Sequence, residues 1–127
     1  MTDTDTPQPT PAELELLRVL WQRGPSTVRD VHADLDREVG YTTVLKLLQI
    51  MIEKGLVTRD AAARSHVYAA AVSEDATQQR LVADLLDRAF GGSRLDLVMQ
   101  ALSGAPTTRE ELRQIRALLD SLPGGSR

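Results

Sequence analysis

Apolar residues recur at helical spacing three times between Thr10 and Lys54, and directly after Gly55 the pattern turns β-prone. The first stretch opens on Thr10-Pro11-Ala12-Glu13. There a threonine caps the helix, proline takes the first helical position where its missing N–H costs nothing, and glutamate completes a capping box. Leu14, Leu17, Val19, Leu20 and Trp21 then give one broad apolar side, and Gly24-Pro25 stops the helix. Ser26 is placed to cap a second helix. In it Val28, Val31 and Leu35 recur while Arg29, Asp30, Asp34 and Asp36 face water, and it ends before Gly40. A third begins at Tyr41-Thr42-Thr43, buries some combination of Val44, Leu47, Leu48 and Met51, and closes at Lys54-Gly55, a basic last turn followed by glycine. Leu56-Val57-Thr58-Arg59 and His66-Val67-Tyr68 flank Asp60 to Ser65 as a hairpin. Three helices and a two-stranded hairpin, in that order, predict a winged helix, with Arg59 and Arg64 at the wing.

Beyond Val72 the pattern is helical again. Ser73 caps a segment carrying Leu81, Val82, Leu85, Leu86 and Phe90, and Gly91-Gly92 ends it. Next come Leu95, Leu97, Val98, Met99 and Leu102, stopped at Ser103-Gly104. The last helix starts at Thr107-Thr108-Arg109-Glu110-Glu111, a capping box in either register, and carries Leu112, Ile115, Leu118, Leu119 and Leu122. So short a chain leaves much of such a stripe uncovered, and a partner chain is the simplest cover. Leu81, Leu85, Leu86, Leu95, Val98, Leu112, Ile115 and Leu119 are therefore the candidate dimerisation residues. The expected fold is mainly α with a small β hairpin: a winged helix-turn-helix head followed by a helical dimerisation region. The expected division is a disordered tail over 1–9, a DNA-binding head over 10–72, a dimerisation domain over 73–122 and a second disordered tail over 123–127.

Composition removes several function classes. The chain has no cysteine, which excludes disulfide frameworks and thiol catalysis, and with only His32 and His66 beside that absence no metal or other cofactor is expected. Trp21, Tyr41, Tyr68 and Phe90 are the only aromatics, too few for a platform that stacks single-stranded bases. No glycine-rich phosphate loop, nucleophile elbow or zinc-protease motif occurs, so no enzyme is expected. Asp3 and Asp5 stand where a signal peptide needs positive charge, and no apolar run reaches the roughly 20 residues of a membrane span. A soluble, cytoplasmic protein without membrane insertion is the expectation. The net charge of −3 is unfavourable for binding phosphates, but residues 10–72 carry eight acids and eight bases. The head can still bind if its bases collect on one face.

Thr42, Thr43, Lys46 and Gln49 lie at the start and along one side of the third helix, offering hydroxyls, a methyl, an amine and an amide to base edges and phosphates. Alone they read as a solvated helix face; in a winged helix, contact with double-stranded DNA is the better reading. Gln49 suits adenine, and Lys46 suits guanine or a phosphate. Tyr41 can rest its ring on the protein and offer its hydroxyl to a phosphate, or act only as a staple. Arg59, Arg64 and His66 are wing candidates, and Arg29 is a backbone candidate unless it joins a solvated charge network.

The run Tyr41-Thr42-Thr43-Val44-Leu45, then Glu53-Lys54-Gly55-Leu56-Val57, Arg64 and Tyr68, with Thr10 to Glu13 and Leu20-Trp21 upstream, resembles the penicillinase repressor family of the BlaI, MecI and CopY type. The likeness runs from about Thr10 to Leu122. It implies a homodimer whose winged-helix heads are joined by interlocked C-terminal helices and bind a dyad-symmetric operator of a β-lactam-resistance or related regulon. It further implies release through a membrane sensor-protease system that leads to cleavage in the C-terminal half. The chain departs from the family pattern in four places. The asparagine-phenylalanine pair cut in some members falls near Gln100-Ala101, Ile50 stands where arginine is common, Ala63 replaces a wing glycine and so argues for a turn without positive φ, and the cysteines of the copper-responsive branch are absent. Two rival readings are a winged-helix regulator released by a small ligand held between the C-terminal helices, and a winged-helix module that binds a protein. Ile50 is the best support for the second.

Overall fold

A computed structural model describes residues 6–35, 38–62 and 64–124. Asp36, Ala63 and the ends of both tails, residues 1–5 and 125–127, lie outside them, and with Asp36 and Ala63 go the expectations of a solvated carboxylate and of the wing turn. The element order is α1 (Pro11–Arg23), α2 (Val28–Asp34), α3 (Tyr41–Lys54), β1 (Val57–Asp60), β2 (Val67–Ala70), α4 (Glu74–Phe90), α5 (Arg94–Ser103) and α6 (Arg109–Ser121). It is the expected mainly helical chain with one antiparallel hairpin, in the order of a winged helix. The chain forms two compact units, one up to Asp84 and one from Leu85.

In the first unit α1 begins as its sequence requires. The Glu13 amide donates to Thr10 Oγ1 and the Thr10 amide donates back to the Glu13 carboxylate, both halves of a capping box. The second helix is capped one residue later than expected. Thr27, not Ser26, accepts from the Asp30 amide, and Asp30 accepts from the Thr27 amide. Ser26 is engaged elsewhere: its backbone N–H and C=O pair with those of Tyr68 at 2.9 and 2.7 Å, and its hydroxyl donates to the Gly24 carbonyl. This bridge makes Ser26 a one-residue third strand beside β2. Leu35, expected within the second helix, turns extended and ends it.

The hairpin pairs Val57 with Ala70 and Asp60 with Val67. Gly55, at φ 83°, accomplishes the turn from α3 into β1, a left-handed conformation that costs a residue with a Cβ. The core lies between α1, α2, α3 and the hairpin. Leu16, Leu17, Leu20, Val28, Val31, Val44, Leu48, Met51, Leu56, Val57 and Tyr68 are all buried, and Leu47 only partly. Trp21 at the edge donates its indole N–H to the Val72 carbonyl at 3.0 Å, tying α1 to the chain leaving the hairpin. One charge enters this core. Glu13 is 2 % exposed, and Lys54 from the end of α3 reaches both its oxygens at 2.9 Å. Residues 6–9 line a small pocket with Leu56, Val72, Thr77 and Leu81.

Ser73 caps α4 through the Ala76 amide, and Gly91 and Gly92, both at positive φ, end it. In the second unit Ser93 caps α5 and Thr108 caps α6, which fixes the later of the two registers open for the last helix. Neither α5 nor α6 has a buried residue. Of the residues expected to dimerise, Leu81 in the first unit and Leu86, Leu112 and Ile115 in the second are half-buried within the single chain, while Leu85, Leu95, Val98 and Leu119 are exposed. Among the described residues no helix is long and apolar enough to cross a membrane, and no group of histidine and carboxylate side chains is placed to hold a metal ion.

Candidate nucleic-acid interface

The periodicity of α3 decides which of its side chains face outward. Val44, Leu48 and Met51 point into the core at helical spacing, so Thr42, Thr43, Lys46, Gln49 and Glu53 are left on the opposite side, and all five are exposed. Gly40 caps the helix without a side chain, so the first amides of α3 are not covered by their own cap and the positive end of its dipole stays open. Such an end attracts phosphate.

Tyr41 stands at that end, half-exposed, its ring edge-on to the ring of His32 at a centroid distance of 6.1 Å. His32 in turn donates from Nε2 to the Val39 carbonyl at 2.7 Å, which holds α2 against the turn leading into α3. Beside Tyr41 runs a groove lined by Thr27 and Arg29 from α2, Tyr41 and Leu45 from α3, and Arg64 and His66 from the hairpin. Its lining includes two arginines and a histidine but no carboxylate among the described residues. Two of the eight bases in the head thus line this groove, while Arg23 and Lys54 are paired with acids elsewhere. Arg59 is exposed on β1 opposite Tyr68 and does not line the groove.

Several charges are tied up elsewhere. Arg23 bonds Asp34 at 2.9 Å and lies 3.3 Å from Asp30, so both of these expected solvent-facing acids hold α1 to α2. Asp30 is kept below the ordinary carboxylate range, first by the hydrogen bond from the Thr27 amide and also by Arg23. Lys54 is consumed by Glu13. Burial pushes the Glu13 carboxyl up, but the Lys54 ammonium and the Thr10 amide outweigh it and leave the group below its ordinary value. Thr27 both lines the groove and caps α2, in place of the Ser26 that the sequence suggests; its signal in the sequence is the spacing Thr27-x-x-Asp30, a capping box with aspartate in the glutamate's place.

The family model described as penicillinase repressor matches residues 9–121. A transcriptional regulator BlaI of Mycobacterium tuberculosis is 40% identical over 79 residues, 59% of this chain and 57% of that one. The chain thus spans little more than half the length of that relative. A penicillinase repressor of Bacillus licheniformis is 23% identical over 116 residues, covering 90% of this chain and 91% of its own. Among solved structures, the YusO protein from Bacillus subtilis superposes with a TM-score of 0.52 at 20% identity over 87% of this chain and 72% of that one, a likeness of fold.

Proposed function

The chain belongs to the penicillinase repressor family, a family of transcriptional repressors and not of enzymes, and from that premise we propose that it represses transcription by binding double-stranded DNA as a homodimer. One observation carries the reading: the uncapped, outward face of α3 stands next to a carboxylate-free groove that holds Arg29, Tyr41, Arg64 and His66. In this reading α3 enters the major groove. Thr42, Thr43, Lys46 and Gln49 meet base edges and nearby phosphates, and Arg29, Tyr41 and the open amides at the start of α3 hold the sugar-phosphate backbone. Arg64, His66 and Arg59 on the hairpin follow the adjoining backbone or minor groove.

Dimerisation is supported by the apolar surface of the last three helices. Val82 in the first unit, and Leu85, Leu95, Val98, Met99, Leu118 and Leu119 in the second, are all exposed in the single chain, where contact with water costs each of them free energy. Two copies would cover these side chains, and their two α3 helices would address successive major grooves of a dyad operator about 34 Å apart, or a multiple of that. Family membership extends the proposal to a cytoplasmic repressor of a resistance-type regulon, released when a sensor-protease system leads to cutting in the C-terminal half. The asparagine-phenylalanine pair cut in some members is replaced on α5 by the exposed Gln100-Ala101, so the cut is not placed at that bond.

The experiment is in vitro selection of duplexes from a randomised library with the full chain, followed by titration at rising salt. The reading predicts a dyad-symmetric consensus and an affinity that falls steeply with salt, because bound arginine and lysine release counterions from phosphate. No enriched site, or binding indifferent to salt, would overturn it in favour of a protein-binding module.

A further inference from the structure

One residue on the outward side of α3 does not fit a polar reading surface. Ile50 is 44% exposed, and the other exposed residues of the helix are Tyr41 at its start and the polar Thr42, Thr43, Lys46, Gln49 and Glu53. Neither water nor the helix favours isoleucine there, since its side chain loses free energy in contact with water and β-branching lowers helix propensity. Its position is specific. Ile50 lies one turn beyond Lys46 and two turns beyond Thr43, so the three share a stripe along α3 in which a hydroxyl and methyl, an ammonium and an aliphatic group follow one another.

A stripe of that composition matches the edge of base pairs in a major groove. Lysine reaches guanine O6 and N7 or a phosphate, and the apolar feature a base presents there is the C5-methyl of thymine. We propose that Ile50 is a specificity-determining residue that packs its aliphatic branch on a thymine methyl in each half-site, next to the position Lys46 addresses. The inference rests on the DNA-binding reading and deepens it: the operator must carry a thymine at one fixed position. It also assigns a role to the one aliphatic residue of α3 that the protein core leaves uncovered.

The test uses duplexes selected by the full-length chain. Each thymine of the selected site is replaced in turn by deoxyuridine, which differs only in lacking the methyl. At one position in each half-site this swap should weaken wild-type binding about fourfold, the effect of one buried methyl. Ile50→Ala, which removes the contact in both half-sites at once, should bind the thymine duplex about sixteenfold more weakly and be indifferent to the swap at that position, and Ile50→Val should retain part of the response. Because Ile50 is outside the core and alanine is the better helix former, thermal unfolding of Ile50→Ala should match wild type. The inference is overturned if Ile50→Ala and wild type respond alike to every uracil, or if Ile50→Ala binds as tightly as wild type. Failure to select any duplex removes the DNA-binding reading itself, a result distinct from both.

Discussion

Lys46 and Lys54 are both on α3, eight residues apart, and their surroundings give them opposite roles. Lys46 is exposed among threonines and an amide, whereas Lys54 is turned inward onto a carboxylate that is 2 % exposed. Lys46→Ala should therefore leave stability unchanged and weaken operator binding by about 1–3 kcal/mol if the amine reads a base, or lower the salt slope by about one if it meets phosphate; binding isotherms at several salt concentrations separate the two. Lys54→Ala should do the reverse, costing about 1–3 kcal/mol of unfolding free energy by leaving the Glu13 carboxylate buried without its partner, as chemical denaturation will report. The pH dependence has a definite sign. Glu13 has a folded pKa below its unfolded one, so its contribution is complete above the unfolded value and drains away as pH falls through the folded value. Stability should decline below about pH 5, and less steeply in Glu13→Gln, whose starting stability is lower. The cap at Thr10 to Glu13 was legible because its partners are three residues apart. The tie from Glu13 to Lys54 was not, because it spans 41 positions and only the packing of α1 on α3 brings the two together.

At the level of elements, local chemistry placed the helices and tertiary pairing set their edges. Gly24, Gly55 and Gly91-Gly92 mark helix ends in the sequence because only glycine takes their backbone angles cheaply, and each helix does end there. The start of α2 moved by one residue because Ser26 and Thr27 are both good caps, and the choice was made by β2, which claims the Ser26 backbone through Tyr68. The hairpin likewise sits one to two residues later than β-propensity indicated, since register comes from pairing and the burial of Val57 and Tyr68 and not from residue preference. Thr27→Ala should lower stability by about 1 kcal/mol and Thr27→Ser should restore most of it, measured by thermal or denaturant unfolding. Thr27 also belongs to the groove wall, so a binding loss larger than the stability loss would mark a second role for it.

For the whole molecule, the sequence carried the architecture and the side-chain types of the interface but not which of them converge. Arg29, Tyr41, Arg64 and His66 come from three separate segments and meet only because α2, α3 and the hairpin share one core, while Arg59, equally basic and also exposed, does not line the groove. The apolar residues of α4 to α6 were readable from periodicity, and the exposure of many of them in the single chain is the observation behind the proposed dimer. Leu119 is 59% exposed there, so Leu119→Asp should leave the single chain folded yet place a charge in the dimer seam. Analytical ultracentrifugation should show monomers for this variant and dimers for wild type, with operator affinity lost in parallel. Repression of this kind requires two copies that each lay α3 into the major groove of one duplex, and a hydroxyl-radical footprint on a selected duplex shows whether they do. Two protected patches on one face of the helix, centred about 10 base pairs or a multiple apart and both lost with Leu119→Asp, are the predicted result. A single asymmetric patch, or protection that survives in the monomeric variant, would contradict it.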